Sequence, residues 1–174
     1  MKIIFTLNGK KVETETTAQT TLLDLLRHNF KLVAAKEGCG KGECGACTVF
    51  LNNSPINSCL KLAATLNETD SVVTVEGLED DKLMQKIRQG YTDEGAVQCG
   101  FCIPGMTMAT HHLLSHNAKP TLSEIKTALA GNICRCTGYE EIREAVKSVL
   151  FLSGTNDGDK ERVGENDGFE GNKI

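Results

Sequence analysis

Eight cysteines carry the chemistry of this sequence, in two sets of four. The first set is Cys39-x4-Cys44-x2-Cys47-x11-Cys59. This spacing matches one that holds a 2Fe–2S cluster, in which two irons each take two thiolates. A tight loop can wrap three of the four thiols, and the last comes from a separate segment. The surrounding stretch, EGCGKGECGACTVFLN, places Gly38, Gly40, Gly42 and Gly45 among the ligands. Without Cβ atoms the backbone can turn sharply there, and its N–H groups can point at sulfur. Such donors stabilise the negative charge added on reduction. The run Gly40-x-Gly42-x-x-Gly45 also matches a dinucleotide fingerprint letter by letter. That motif should open a helix after a strand, whereas here cysteines interrupt it and strand-like TVFL follows.

The second set is Cys99-x2-Cys102-x31-Cys134-x-Cys136, in VQCGFCIPGM and GNICRCTGY. Both pairs are expected at helix beginnings, where unpaired N–H groups and the positive dipole end favour thiolates. Two close pairs from distant segments suit one cluster between antiparallel helices. Structural zinc remains open for this set, although zinc usually takes Cys-x2-Cys and the Cys134–Cys136 spacing is tighter. Compartment bears on both sets. MKIIFTLNGKK offers a three-residue apolar stretch, too short for a signal-peptide core, and no twin arginine occurs. The expectation is a cytoplasmic protein, in which reduced thiols bind metal; four disulfides in an exported protein are the rival.

Other reactive side chains promise less. His112 and His116 lie four apart on an expected helix and read as a solvated face. His28 reads as complementing a helix dipole, and Arg135 as either offsetting cluster charge or making a surface ion pair. No Ser-His-Asp set, P-loop or catalytic carboxylate pair can be argued from spacing. A net charge of −4 with scattered Lys and Arg argues against nucleic acid as a partner. No apolar run approaches the ~20 residues that span a bilayer.

The elements that must position the cysteines divide the chain. Residues 2–7 and 10–15 read as strands around Asn8-Gly9, a hairpin turn needing positive φ at both positions. Leu22, Leu23, Leu25 and Leu26 share a helical face over 21–29. After the Gly-rich loop, TVFLN reads as a strand, 52–55 as a turn and 72–75 as a last strand, giving an α+β domain over 1–77. From 78 to 152 the period is helical. Helices are expected over 80–90, from Pro104 to about His116, from Thr121 (capping box with Glu124), and from a second Thr–Glu box at Thr137 and Glu140 to near Leu152. The stretch 153–174 is Gly-, Asn- and acid-rich and reads as a mobile tail.

Taken in order, CGKGECGACTV, CGFCIPG and GNICRCTGY resemble the iron–sulfur subunit of the molybdenum hydroxylases, the xanthine dehydrogenase family. The resemblance covers residues 1 to about 152 and includes all eight cysteines. It implies an N-terminal β-grasp ferredoxin-like domain with Cys39, Cys44, Cys47 and Cys59 as ligands. It also implies a C-terminal four-helix bundle with Cys99, Cys102, Cys134 and Cys136 as ligands. Gln98 and Cys136 match positions that contact the pterin in such proteins. The implied partners are a large subunit with molybdopterin, in a dinucleotide form, and a medium subunit with FAD, in a dimer of heterotrimers. Electrons would run from molybdenum through the bundle cluster and the ferredoxin-like cluster to FAD. The implied substrate is a xanthine-like purine, another N-heterocycle or an aldehyde. A free-standing two-cluster ferredoxin is the alternative.

Overall fold

The computed structural model of the chain describes residues 1–153; the expected mobile tail, 153–174, lies outside that range except for Ser153, which ends the last helix. Strands β1 (Lys2–Leu7) and β2 (Lys10–Glu15) pair antiparallel, with Leu7 opposite Lys10. Asn8 and Gly9 turn the chain at φ 48° and 78°, the primed geometry that matches strand twist. Ile3, Phe5 and Leu7 alternate into the core, while β2 is an edge strand. Helix α1 (Leu22–Asp24) starts on Thr21, whose hydroxyl accepts the Asp24 N–H at 3.0 Å. It widens at once into a π-helical turn, Leu25–Asn29, that ends with Phe30 edge-on to Phe5. Its four leucines are all buried as the periodicity requires, but the expected single α-helix is this mixed turn.

Strands β3 (Thr48–Leu51), β4 (Ser54–Asn57) and β5 (Ser71–Val73) complete a sheet of order β2-β1-β5-β3-β4, with β5 parallel to β1. The sequence places a turn over 52–55. The structure turns on Asn52 and Asn53 alone, and Ser54 and Pro55 already belong to β4. Pro55 is tolerated because β4 is an edge strand with no ladder bond to donate outward. A sheet of this order with a helix against one face is a β-grasp domain.

Four helices follow: α2 (Lys82–Asp93), α3 (Ile103–His116), α4 (Leu122–Leu129) and α5 (Glu140–Ser153). Pro104 sits in the first turn of α3, and Thr121 with Glu124 forms the expected capping box of α4. The second expected box does not form. Tyr139 takes a left-handed conformation (φ 72°) directly before α5, and the Thr137 hydroxyl is engaged elsewhere. Helix α3 is the central element. Met106 and Met108 on it are fully buried, and the Thr110 hydroxyl bonds the buried Tyr91 phenol at 2.8 Å.

The two domains share the sheet. Val49 points into the β-grasp core, while the next residue, Phe50, belongs to the helical core and lies against the rings of His111 and His112. Burial on both faces explains why TVF is continuously apolar or buried rather than alternating. Asn8 pins the connection: its side chain accepts the Thr74 N–H at 2.9 Å and donates to the Thr74 hydroxyl at 3.2 Å. No helix among the described residues is long and apolar enough to cross a membrane.

Candidate metal centres

The first centre is built by the loop between the π-helical turn and β3. Gly40, Gly42 and Gly45 all adopt positive φ, at 64°, 77° and 66°. At two of them the space is also closed. A Cβ on Gly42 would enter the Leu60 side chain, and one on Gly45 would strike the Gly131 carbonyl and Asn132. The backbone winding directs N–H groups of Lys41 and Glu43 at the Cys39 sulfur, each at 3.3 Å. These donors, with the Cys44 N–H, hold the Cys39 thiol down to about 6, since each stabilises the thiolate. Cys47 directly precedes β3 and is buried; its carbonyl accepts the Ser58 hydroxyl at 2.7 Å. Cys59 follows β4 and lies against Cys47. Burial, then the Cys47 thiol, pushes it up to about 11. The Asn57 amide closes the loop by donating to the Gly42 carbonyl at 2.7 Å. Within the set, Cys39 therefore sits with Cys44, and Cys47 with Cys59.

The second centre joins the N-terminus of α3 to the α4–α5 loop. Cys102 is the residue before α3 and lies at a helix start as expected; Cys134 and Cys136 do not, because α5 begins only at Glu140. The thiols again come in pairs, one outer and one inner. Cys99 and Cys136 are exposed, with sulfurs 3.5 Å apart, and Cys102 and Cys134 are buried. Burial, then the Cys134 thiol, pushes Cys102 up to about 12. For Cys134 burial acts in the same direction, but the Thr137 hydroxyl and the N–H groups of Thr137 and Cys136 outweigh it, and the thiol is lowered. Gln98 is exposed beside the outer pair, and Arg135 is exposed between the two ligands of its segment.

All eight cysteines are free thiols. Among the described residues no three His, Cys, Asp or Glu side chains converge as they would around a single ion. Two pairs of thiols with N–H groups aimed at sulfur fit two irons, each taking one pair, better than they fit tetrahedral zinc. The histidines stand apart from both sets. His112 is partly covered by Phe50 rather than fully solvated; burial, then the neighbouring His116 and His111, lower it. His111, which spacing did not single out, bonds Asp81 at 3.0 Å.

The two cysteine loops touch. Ile133 N–H donates to the Cys44 carbonyl at 2.9 Å, and the Asn132 amide donates to the Gly45 carbonyl at 2.9 Å. The Tyr139 phenol accepts the Cys134 N–H at 3.0 Å and donates to the Asn132 carbonyl at 3.1 Å. Sequence reasoning did not find Asn132, Thr137 or Tyr139 as site residues. Their only signal is position beside cysteines, and their partners lie across a fold that spacing cannot show.

Fold and thiol geometry define a two-domain iron–sulfur protein. Residues 5–70 match the family described as the 2Fe-2S iron-sulfur cluster binding domain, and residues 74–147 match the 2Fe-2S binding domain. The chain is 45% identical over 144 residues to the nicotinate dehydrogenase small FeS subunit of Eubacterium barkeri, covering 83% of this chain and 91% of that one. It is 45% identical over 143 residues to the xanthine dehydrogenase iron-sulfur-binding subunit of Escherichia coli O157:H7, covering 81% and 89%. Quinoline 2-oxidoreductase from Pseudomonas putida 86 superposes with a TM-score of 0.81 at 36% identity, covering 88% of this chain and 95% of that one. The chain belongs to the iron–sulfur subunits of the molybdenum hydroxylase, or xanthine dehydrogenase, family. It is the electron-transfer small subunit of a multisubunit oxidoreductase, with two 2Fe–2S domains.

Proposed function

We propose that this subunit takes electrons from a molybdopterin-bearing large subunit at its helical domain and delivers them from its ferredoxin-like domain to an FAD-bearing medium subunit. Cys39, Cys44, Cys47 and Cys59 hold one cluster, and Cys99, Cys102, Cys134 and Cys136 the other. When bound, the clusters supply one-electron steps between two-electron chemistries. Residues 1–77 and 78–152 form the two cluster-bearing units. The observation that carries this assignment is the Ile133 N–H to Cys44 carbonyl bond. It links the residue before Cys134 directly to a ligand of the other set.

The exposed pair, Cys99 and Cys136, faces outward with Gln98 beside it. An exposed ligand pair is where a partner's redox centre can approach, so Gln98 and Cys136 are the groups assigned to the pterin. The assembly is a cytoplasmic dimer of heterotrimers. Its substrate is an N-heterocycle, a purine included, or an aldehyde. The relatives named above are dehydrogenases or oxidoreductases of nicotinate, xanthine and quinoline, and aldehyde oxidases and aldehyde oxidoreductases are also among the proteins this chain resembles.

Native mass spectrometry of the protein isolated from its source tests the assignment. A complex with two larger subunits, carrying molybdenum and FAD, is expected. An isolated species of about 19 kDa carrying both clusters would instead indicate a free-standing carrier. Within the complex, Gln98→Ala should slow electron flow or weaken molybdenum retention. Unchanged rate and molybdenum content would remove the pterin assignment.

A further inference from the structure

We propose that Thr137 is a positioning residue that acts through Cys134 to raise the midpoint potential of the helical-domain cluster. The proposal rests on the iron–sulfur assignment above and goes beyond the ligands themselves.

Thr137 is buried, and its hydroxyl oxygen lies 3.2 Å from the Cys134 sulfur. The same oxygen accepts the Tyr139 N–H at 3.1 Å. That contact occupies one of the hydroxyl's two lone pairs and leaves its hydrogen free. A cluster-bound cysteine sulfur is a thiolate with no hydrogen to donate, so the hydroxyl is the donor in this bond. Tyr139 is itself fixed: its φ is 72°, and its phenol bridges the Cys134 N–H and the Asn132 carbonyl. Sulfur, hydroxyl and phenol are thus held in one connected network over residues 132–139. By spacing, Thr137 reads as the N-cap of α5. In the structure α5 starts at Glu140 and the hydroxyl turns toward the sulfur.

Reduction adds one electron to a 2Fe–2S cluster, and part of that charge resides on the ligand sulfurs. No bond forms or breaks, and the hydroxyl keeps its proton. A donor on the sulfur stabilises the reduced state more than the oxidised one, and more strongly where water is excluded. Cys134 is the buried member of its segment's pair, so the bond acts in a low-dielectric setting. The donors to the Cys39 sulfur in the other domain, Lys41 and Glu43, are backbone groups. Thr137 is thus a side chain whose substitution can shift one cluster relative to the other.

The test is an EPR-monitored redox titration of the assembled, iron-loaded complex carrying Thr137→Val, which keeps the shape and loses the donor, or Thr137→Ser, which keeps the donor. The helical-domain signal is identified by its loss in Cys102→Ser. In Thr137→Val its midpoint should fall while the other cluster stays put, and Thr137→Ser should lie close to the wild type. An unmoved midpoint, equal movement of both clusters, or a Ser variant as low as Val would overturn the proposal. Should Thr137→Val lose iron, Thr137→Ala gives the same reading. Loss of that cluster from both, with Thr137→Ser intact, would overturn it in favour of cluster retention. Iron analysis of the wild type precedes the titration. Absence of iron there would remove the underlying assignment, whereas iron with an unmoved midpoint removes only this inference.

Discussion

Replacing Gly105 by Ala sets two physical effects of opposite sign against each other. Gly105 lies in the first turn of α3, and Ala in place of Gly in a helix ordinarily stabilises by about 0.5–1 kcal/mol. Here, however, a Cβ would fall well inside 3.0 Å of the Gly45 carbonyl oxygen and within 2.7 Å of the Asn132 amide nitrogen. That oxygen cannot swing aside easily. It accepts from the Thr48 N–H at 3.1 Å, the Thr48 hydroxyl at 2.7 Å and Asn132 at 2.9 Å. Relief needs the two domains to separate by roughly 1 Å, and overpacking of this kind costs about 1–3 kcal/mol. Lengthening the Asn132 bond adds about 0.5–1.5 kcal/mol. The steric cost should win, leaving a net loss of about 0.5–4 kcal/mol after the propensity gain is set against it. For a chain of this size that corresponds to a melting point lower by roughly 1–16 °C. The assay is thermal loss of the visible circular dichroism of the iron-loaded chain, at one scan rate for both proteins, because cluster release makes unfolding irreversible. A melting point equal to or above the wild type would refute the close approach of α3 to the first cysteine loop.

Two further outcomes follow from the same geometry. Asn132→Ala should lower stability by about 1–3 kcal/mol, since it removes an interdomain hydrogen bond from a buried site. Asn132→Asp should be worse, because a carboxylate oxygen would face the Gly45 carbonyl; chemical denaturation compares them, and an Asp variant as stable as wild type would contradict the assigned bond. In the iron-free chain the depressed Cys39 thiol is deprotonated above its shifted value and protonated below it. Its alkylation rate should therefore rise through about pH 6 and level off, while Cys59, at about 11, and Cys102, at about 12, stay unlabelled near neutrality. Peptide mapping that finds Cys59 or Cys102 labelled first would contradict this order.

Local chemistry was legible in the sequence wherever it acts over a few residues. Asn8-Gly9 turns the first hairpin with its expected register, and the Thr121–Glu124 box starts α4. The family resemblance drawn from the cysteine motifs is matched by two 2Fe–2S domain families. What failed lies where distant segments decide. Periodicity cannot distinguish an α-helical turn from the π-helical one at Leu25–Asn29, since both bury the same leucines. Spacing offered Thr137–Glu140 as a cap, but the left-handed Tyr139 and the nearby sulfur claimed the hydroxyl. The Asn132–Gly45 clamp joins residues 87 positions apart, so no local pattern announces it.

The decisive measurement is iron and acid-labile sulfide per chain together with the EPR spectrum of the dithionite-reduced complex. Two 2Fe–2S domains require about four of each, with two distinct signals. Of these, one should vanish in Cys102→Ser and the other persist. Zinc in place of iron, or a single signal accounting for all the iron, would contradict two clusters on these eight cysteines.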